Sequence, residues 1–155
     1  MESLLAVDAG LRAGLALYSR NGRLCWYRSK NFGTNASLKR GAHALLGSIP
    51  DLKMIVIEGG GTHAVIWERE ALRRKLGVKM IHAGVWRQKL LYPREQKSGQ
   101  DAKHFADDLA RRTIEWSEIT RPTSLRHDAA EAILIGLWAV LDEGWLETMP
   151  KDLRR

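Results

Sequence analysis

The sequence predicts an α/β domain on a mixed five-stranded sheet, a three-strand antiparallel meander followed by parallel strands, flanked by helices on both faces. Three observations carry this prediction. Apolar alternation fills the first thirty residues around an Asn21-Gly22 pair, strand and helix patterns then alternate from Ala36 to His82, and helix-period segments close the chain. A length of 155 residues matches one domain, 1–155, large enough to bury a real core.

The elements follow in order. Leu4 to Asp8, Gly14 to Ser19 and Arg23 to Ser29 read as strands, and Asn21-Gly22 is a hairpin turn because both residues tolerate positive φ. A helix is expected from about Ala36 to Ser48, capped by Ser37 or Asn35 and ended by Pro50. Lys53 to Glu58 is a continuous apolar run before three glycines, the pattern of a buried central strand. Thr62 can cap a helix with Val65, Leu72 and Leu76 along one side and Gly77 as its stop. Val78 to His82 makes the fifth strand. Val85 to Leu91 is a helical turn, and Tyr92 to Gln100 an exposed loop. Asp101 caps a helix carrying Ala102, Phe105, Leu109 and Ile114, and the last helix runs from about Arg126 to Asp142. With this order the first and fourth strands can be neighbours, which would set Asp8 beside Glu58.

Composition narrows the function classes. The chain is 45% hydrophobic, with no long polar tract and no repeat, so it reads as ordered throughout except at the terminal KDLRR. A lone cysteine, Cys25, cannot form an internal disulfide, and no basic region precedes a signal-type apolar run; the expected location is cytoplasmic. The longest apolar stretch, Ala132 to Leu141, is about half the roughly 20 residues of a membrane span, so no membrane association is expected. The net charge is +7, and the stretch from Arg69 to Arg112 holds twelve Lys and Arg against five Asp and Glu, enough to account for the whole excess. A polyanionic partner fits this balance, against the blander reading of a solvated helix surface.

The chemistry-bearing residues are acids. Asp8 ends the apolar run LLAVD, Glu58 ends MIVIE, and Asp128 and Glu131 lie three apart, on one helix face. An acid at the end of a buried apolar run costs stability unless it is paired, hydrogen-bonded or metal-bound. Four acids meeting at one place would repel one another unless hard cations neutralise them. An oxygen-only set without cysteine or a histidine group points to Mg2+, with Mn2+ as substitute, two ions per site, and hence to a two-metal phosphodiesterase. Asp128 also has a simpler reading as a helix cap. Trp86, Arg87 and Lys89 can form a stacking and phosphate-contact patch, though a tryptophan in such a place is more often a packing residue. Arg94, Lys97 and Lys103, in or near the exposed loop, are further phosphate candidates. The triple glycine lacks a following Lys-Ser or Lys-Thr, so it is no nucleotide loop; small residues there let a DNA backbone approach.

Four segments together, LLAVDAGLRAGLALYSRNGRL, VIEGGG, HAGVWRQKLL and RHDAAEAILIG, resemble in order and spacing the RuvC-like Holliday junction resolvases of the RNase H superfamily, closest in flavour to phage and chloroplast members. The resemblance implies an RNase H-like fold and an endodeoxyribonuclease that resolves four-way DNA junctions by paired symmetric nicks. It implies Asp8, Glu58, Asp128 and Glu131 as metal ligands and catalytic residues. His127 then has two readings, a contact to the scissile phosphate or general acid, and a cap or loop hydrogen bond. A homodimer is implied by the two-fold symmetry of a junction, with the helix after Glu58 as its interface. Two positions depart from the bacterial pattern. Glu131 stands where an Asp is usual, and Gly61, Thr62 and His63 occupy the place of a junction-probing Phe. Competing readings are another RNase H-like nuclease acting on branched DNA or RNA/DNA hybrids, and a non-catalytic nucleic-acid binder of the same fold. An ATP-binding module of the actin and sugar kinase type needs two such domains, for which this chain is too short.

Overall fold

Five strands, β1 (Ser3–Asp8), β2 (Arg12–Ser19), β3 (Leu24–Asn31), β4 (Leu52–Glu58) and β5 (Gly77–Ile81), form one sheet in the computed structural model, which describes residues 1–155. Its order is β3-β2-β1-β4-β5, with β1 antiparallel to β2, β2 antiparallel to β3, and β4 parallel to both β1 and β5. The five main helices are α1 (Asn35–Ser48), α2 (Gly61–Arg73), α3 (Ala83–Leu90), α4 (Gly99–Trp116) and α5 (His127–Asp142). No helix is long and apolar enough to cross a membrane.

The sheet divides the core in two, and strand parity decides which side chain goes where. Leu4 and Ala6 of β1 and Met54 and Val56 of β4 face one side, packed with Leu109 of α4 and Ile133 and Leu137 of α5. Leu5, Val7, Ile55 and Ile57 face the other, against Leu38 and Leu46 of α1 and Trp67 of α2. Asp8 and Glu58 continue the first set, so both carboxylates project toward the α5 layer. The register pairs Asp8 directly with Glu58. α5 is apolar nearly all round and is correspondingly buried from Ala129 to Leu137. It is tied to the sheet by Tyr18, whose hydroxyl donates to the carbonyl of Ile133.

Gly14 sets how closely α5 can approach. A Cβ there would lie 1.8 Å from the Asp128 carbonyl oxygen, a backbone atom that cannot swing aside. Gly14 is also the cross-strand partner of Asp8, so the absence of a side chain at this point brings the start of α5 to the end of β1. Gly14→Ala is expected to lower stability by about 1–3 kcal/mol through overpacking and to push α5 off the strand end. Thermal denaturation with and without Mg2+ measures both effects; an unchanged midpoint and an unchanged Mg2+ response would refute the close-approach role.

Several local expectations need correction. Thr34, not Ser37 or Asn35, caps α1, because its Oγ1 accepts from the Ser37 N–H at 3.1 Å from an extended backbone. Gly60 precedes α2 without a side-chain cap, so Thr62 lies inside the helix. α2 ends earlier than Gly77: Lys75 takes the left-handed conformation (φ 60°), and Gly77 opens β5. Leu72 is 58% exposed, so it does not belong to the buried stripe. Ser98, not Asp101, caps α4, accepting from the Asp101 N–H at 3.0 Å. The expected exposed loop from Tyr92 contains a 3-10 turn, Pro93–Gln96, with Glu95 only 2% exposed. Glu95 is paired with Arg155, whose Nη2 also donates to the Leu90 carbonyl at 3.0 Å, so the chain terminus braces the end of α3.

Candidate metal centre

Three of the four predicted acids converge. Asp8 at the end of β1, Glu58 at the end of β4 and Glu131 one turn into α5 each offer a carboxylate oxygen, all within 4.8 Å of one another. Glu58 and Glu131 are 7% and 8% exposed, and Asp8 is half-buried. Asp128 sits beside the cluster, near enough for its charge to act on Asp8, but its Oδ2 accepts from the Ser29 hydroxyl at 3.0 Å and its Oδ1 from the Ala129 N–H at 2.7 Å. The expected four-acid set is therefore three acids plus a fourth tethered to β3 and to its own helix start.

Burial pushes Asp8 up to about 8, with the charges of Glu131 and Glu58, a hydrogen bond with Glu131 and the charge of Asp128 all acting in the same direction. Every influence on Asp8 raises it, since no cation pairs with it. Glu58 is also raised, by burial and by Glu131, against two opposing contacts: the Trp86 indole N–H, which donates to Glu58 Oε2 at 3.0 Å, and the positive charge of Arg87. Glu131 Oε1 meets Arg87 Nη2 at 3.2 Å and His127 Nε2 at 3.0 Å. The cluster is thus a buried, oxygen-only, under-neutralised donor set. Its chemistry fits a hard divalent cation, which would supply the missing positive charge.

The remaining candidates divide by exposure. Trp86 is fully buried with its N–H turned to Glu58, so it has no free face on which to stack a base; of its two expected readings the packing one holds, and its place in the DNA-contact patch is corrected. Arg87 points into the acid cluster, and its Nε is buried without a partner. Lys89, Arg94, Lys97 and Lys103 are exposed and form no ion pair. Three contributors were not singled out in the sequence. Ser29 holds Asp128, while Arg12 and Arg126 line a shallow cleft of about 380 Å3 together with His127 and Asp128. Arg12 carried a signal, four residues beyond Asp8 where the hairpin loop enters β2; Ser29 and Arg126 had none.

A mixed sheet of this order, helix-covered on both faces with acids at the ends of its first and fourth strands, defines an RNase H-like fold of the RuvC type. Among the solved structures it resembles is T. thermophilus RuvC in complex with Holliday junction substrate, with a TM-score of 0.66 over 92% of this chain and 96% of that one, at 14% sequence identity. No protein-family model and no curated protein sequence matches the chain.

Proposed function

We propose that this protein is a divalent-metal-dependent endonuclease that resolves four-way DNA junctions by paired, symmetric phosphodiester hydrolysis. The observation that carries the reading is the convergence of Asp8, Glu58 and Glu131 at one end of a RuvC-like sheet. Asp8, Glu58 and Glu131 would hold Mg2+, or Mn2+ in its place, two ions per site, with Asp128 available from the α5 start. Bound ions of this kind supply Lewis-acid polarisation of the phosphate and a water of lowered pKa. The chain's own groups do the rest. Trp86 orients Glu58, Arg87 and His127 orient Glu131, and Ser29 orients Asp128. Arg12 and Arg126, beside Asp128, offer positive charge where a phosphodiester would enter. His127, 46% exposed at its side chain, can also meet the phosphate.

A homodimer acting in the cytoplasm is part of this reading, with residues 1–155 as one nuclease domain. Two symmetric cuts require two sites related by a two-fold axis. Leu72 on α2 and Met80 on β5, 58% and 40% exposed, are apolar side chains left for such an interface. One observation favours a broader substrate range: α2 opens with Gly61, Thr62 and His63, with no apolar aromatic ring to wedge a junction centre. Cleavage of other branched DNA or of RNA/DNA hybrids is the second reading.

The test is incubation with a synthetic four-way junction, a linear duplex and an RNA/DNA hybrid in Mg2+. Paired nicks with 5′ phosphates in the junction alone are expected. Equal cutting of duplex or hybrid would end the resolvase assignment and leave a nuclease, and no cutting of any substrate in Mg2+ or Mn2+ would remove the enzyme.

A further inference from the structure

The balance of charge along the chain conceals a second basic segment. From Ala9 to Pro50 there are seven Lys and Arg and no Asp or Glu at all. The two basic regions differ in how their charges are used. Of the twelve cations between Arg69 and Arg112, six are held by acids: Arg73 and Arg74 by Glu70, Lys79 by Asp142 and Glu143, Arg87 by Glu131, Arg111 by Asp107 and Arg112 by Asp108. In the earlier segment only Arg20 meets a carboxylate, Glu2 at 3.7 Å, and Arg23 is turned to the Trp116 carbonyl and ring. Arg12, Arg28, Lys30, Lys39 and Arg40 form no ion pair. Arg28 lies over Trp26 and Lys30 over Phe32, 4.2 and 5.5 Å from the ring centres.

Arg12 belongs to the cleft beside Asp128, and the other four lie on the side of the sheet away from α5, Arg28 and Lys30 over rings that pack in the α1–α2 layer. In α1 the buried stripe is Leu38, Ala42 and Leu46, which turns Lys39, Arg40 and His43 outward. They line a groove of about 440 Å3 with Arg69, Arg73 and Glu70 of α2. Glu70 is 5% exposed and is already satisfied by His43 at 3.2 Å, Arg73 at 3.3 Å and Arg74 at 3.1 Å. It is the groove's one acid; it cross-ties α1 to α2, and of the cations on the rim it pairs with Arg73 and not with Lys39, Arg40 or Arg69. Lys39, Arg40 and Arg69 are left as unpaired cations above a rigid floor. Phe32, which packs so closely on Gly41 that a Cβ there would be 2.3 Å away, brings Lys30 to the opposite flank of α1.

Like charges held together on a braced surface repel one another unless a polyanion lies across them. α1 follows β3, whose end pairs with Arg12 beside the acid cluster, and α2 follows Glu58, so both helices start from the sheet end that carries the site. We propose that the α1–α2 groove, through Lys39, Arg40 and Arg69, grips the phosphate backbone of a second duplex arm of the nucleic acid, away from the bond being cut. The inference rests on the nuclease reading and adds a binding surface that the stretch from Arg69 to Arg112 does not contain by itself. Phosphate contacts fix orientation and carry no sequence information.

The test compares two sets of charge-removing substitutions in an Asp8→Asn background, so that bound DNA stays intact: Lys39→Gln with Arg40→Gln and Arg69→Gln, and the ion-paired control Arg111→Gln with Arg112→Gln. Fluorescence anisotropy with a four-way junction at several salt concentrations gives the slope of log K against log [salt]. The groove set is expected to flatten the slope by about 0.9 for each phosphate no longer neutralised, about 2 to 3 in total, and the control set by less than about 1. With Asp8 restored, the groove set should raise KM and leave kcat unchanged. A wild-type slope for the groove set, or equal flattening by both sets, overturns the proposal while wild-type junction cleavage keeps the nuclease reading. A wild-type protein that binds no nucleic acid overturns both. If the groove set leaves the slope unchanged and shifts the sedimentation mass, the groove is an interface between protein chains and the proposal fails.

Discussion

Asp8→Asn is expected to reduce junction cleavage by on the order of 10³-fold or more, because it removes the carboxylate best placed between Glu58 and Glu131 and with it several kcal/mol of transition-state charge stabilisation. Binding of the junction should survive. The same substitution should stabilise the metal-free protein at neutral and alkaline pH. Asp8 is pushed up from an ordinary 3.8 to about 8, by burial first and then by the charges of Glu131 and Glu58. The folded state therefore holds this proton more tightly than the unfolded chain does. The resulting stability is complete below about pH 4, is lost as pH rises toward 8, and changes no further above it. Melting temperature in a chelator should fall across that window for the wild type and run flatter for the Asn variant. A divalent ion must displace the same proton, so the Mg2+ concentration giving half-maximal cleavage should drop by up to about tenfold per pH unit between roughly 6 and 8. Wild-type cleavage by Asp8→Asn, or an identical pH profile in the two proteins, would show that Asp8 is not a ligand.

Trp86→Ala should destabilise the fold by about 3–5 kcal/mol, since it empties the space of a fully buried indole. Trp86→Phe separates packing from hydrogen bonding. It keeps most of the volume and deletes the N–H that donates to Glu58 Oε2 at 3.0 Å. The Phe variant should stay folded and bind Mn2+ about 10- to 100-fold more weakly, the usual consequence of losing a group that orients a metal ligand. Calorimetric titration with Mn2+ measures this without reference to cleavage. A base-stacking tryptophan would behave the other way: Ala would weaken junction binding at unchanged melting temperature, and Phe would be nearly silent. That pattern would remove the positioning role.

The two tryptophan outcomes mark where sequence reading stops. The residue pattern identifies Val85 to Leu91 as helical, but not which way the helix turns, and rotation about the α3 axis is what sends Trp86 inward and Lys89 out. The helix acids divide for a similar reason. Spacing puts Asp128 and Glu131 on one face, yet Ser29, about a hundred residues away in sequence, draws Asp128 aside while Glu131 joins Asp8 and Glu58. The true caps, Thr34 and Ser98, lie one to three residues from the expected ones because they compete with equally suitable neighbours, and backbone conformation chooses between them.

What local pattern encodes was legible: the Asn21-Gly22 hairpin, with Gly22 at φ 84°, the five strands in order, the apolar last helix, and two strands ending in acids. Period 2 and period 3.6 are properties of neighbours along the chain, so they can be read there. Tertiary structure alone decided which three carboxylates meet, how near α5 comes over Gly14, and which cations are left without an acid. Each depends on packing between elements far apart in sequence. The acid-free run from Ala9 to Pro50 was visible in the sequence, but only packing α1 against α2 around Glu70 turned it into a cationic groove.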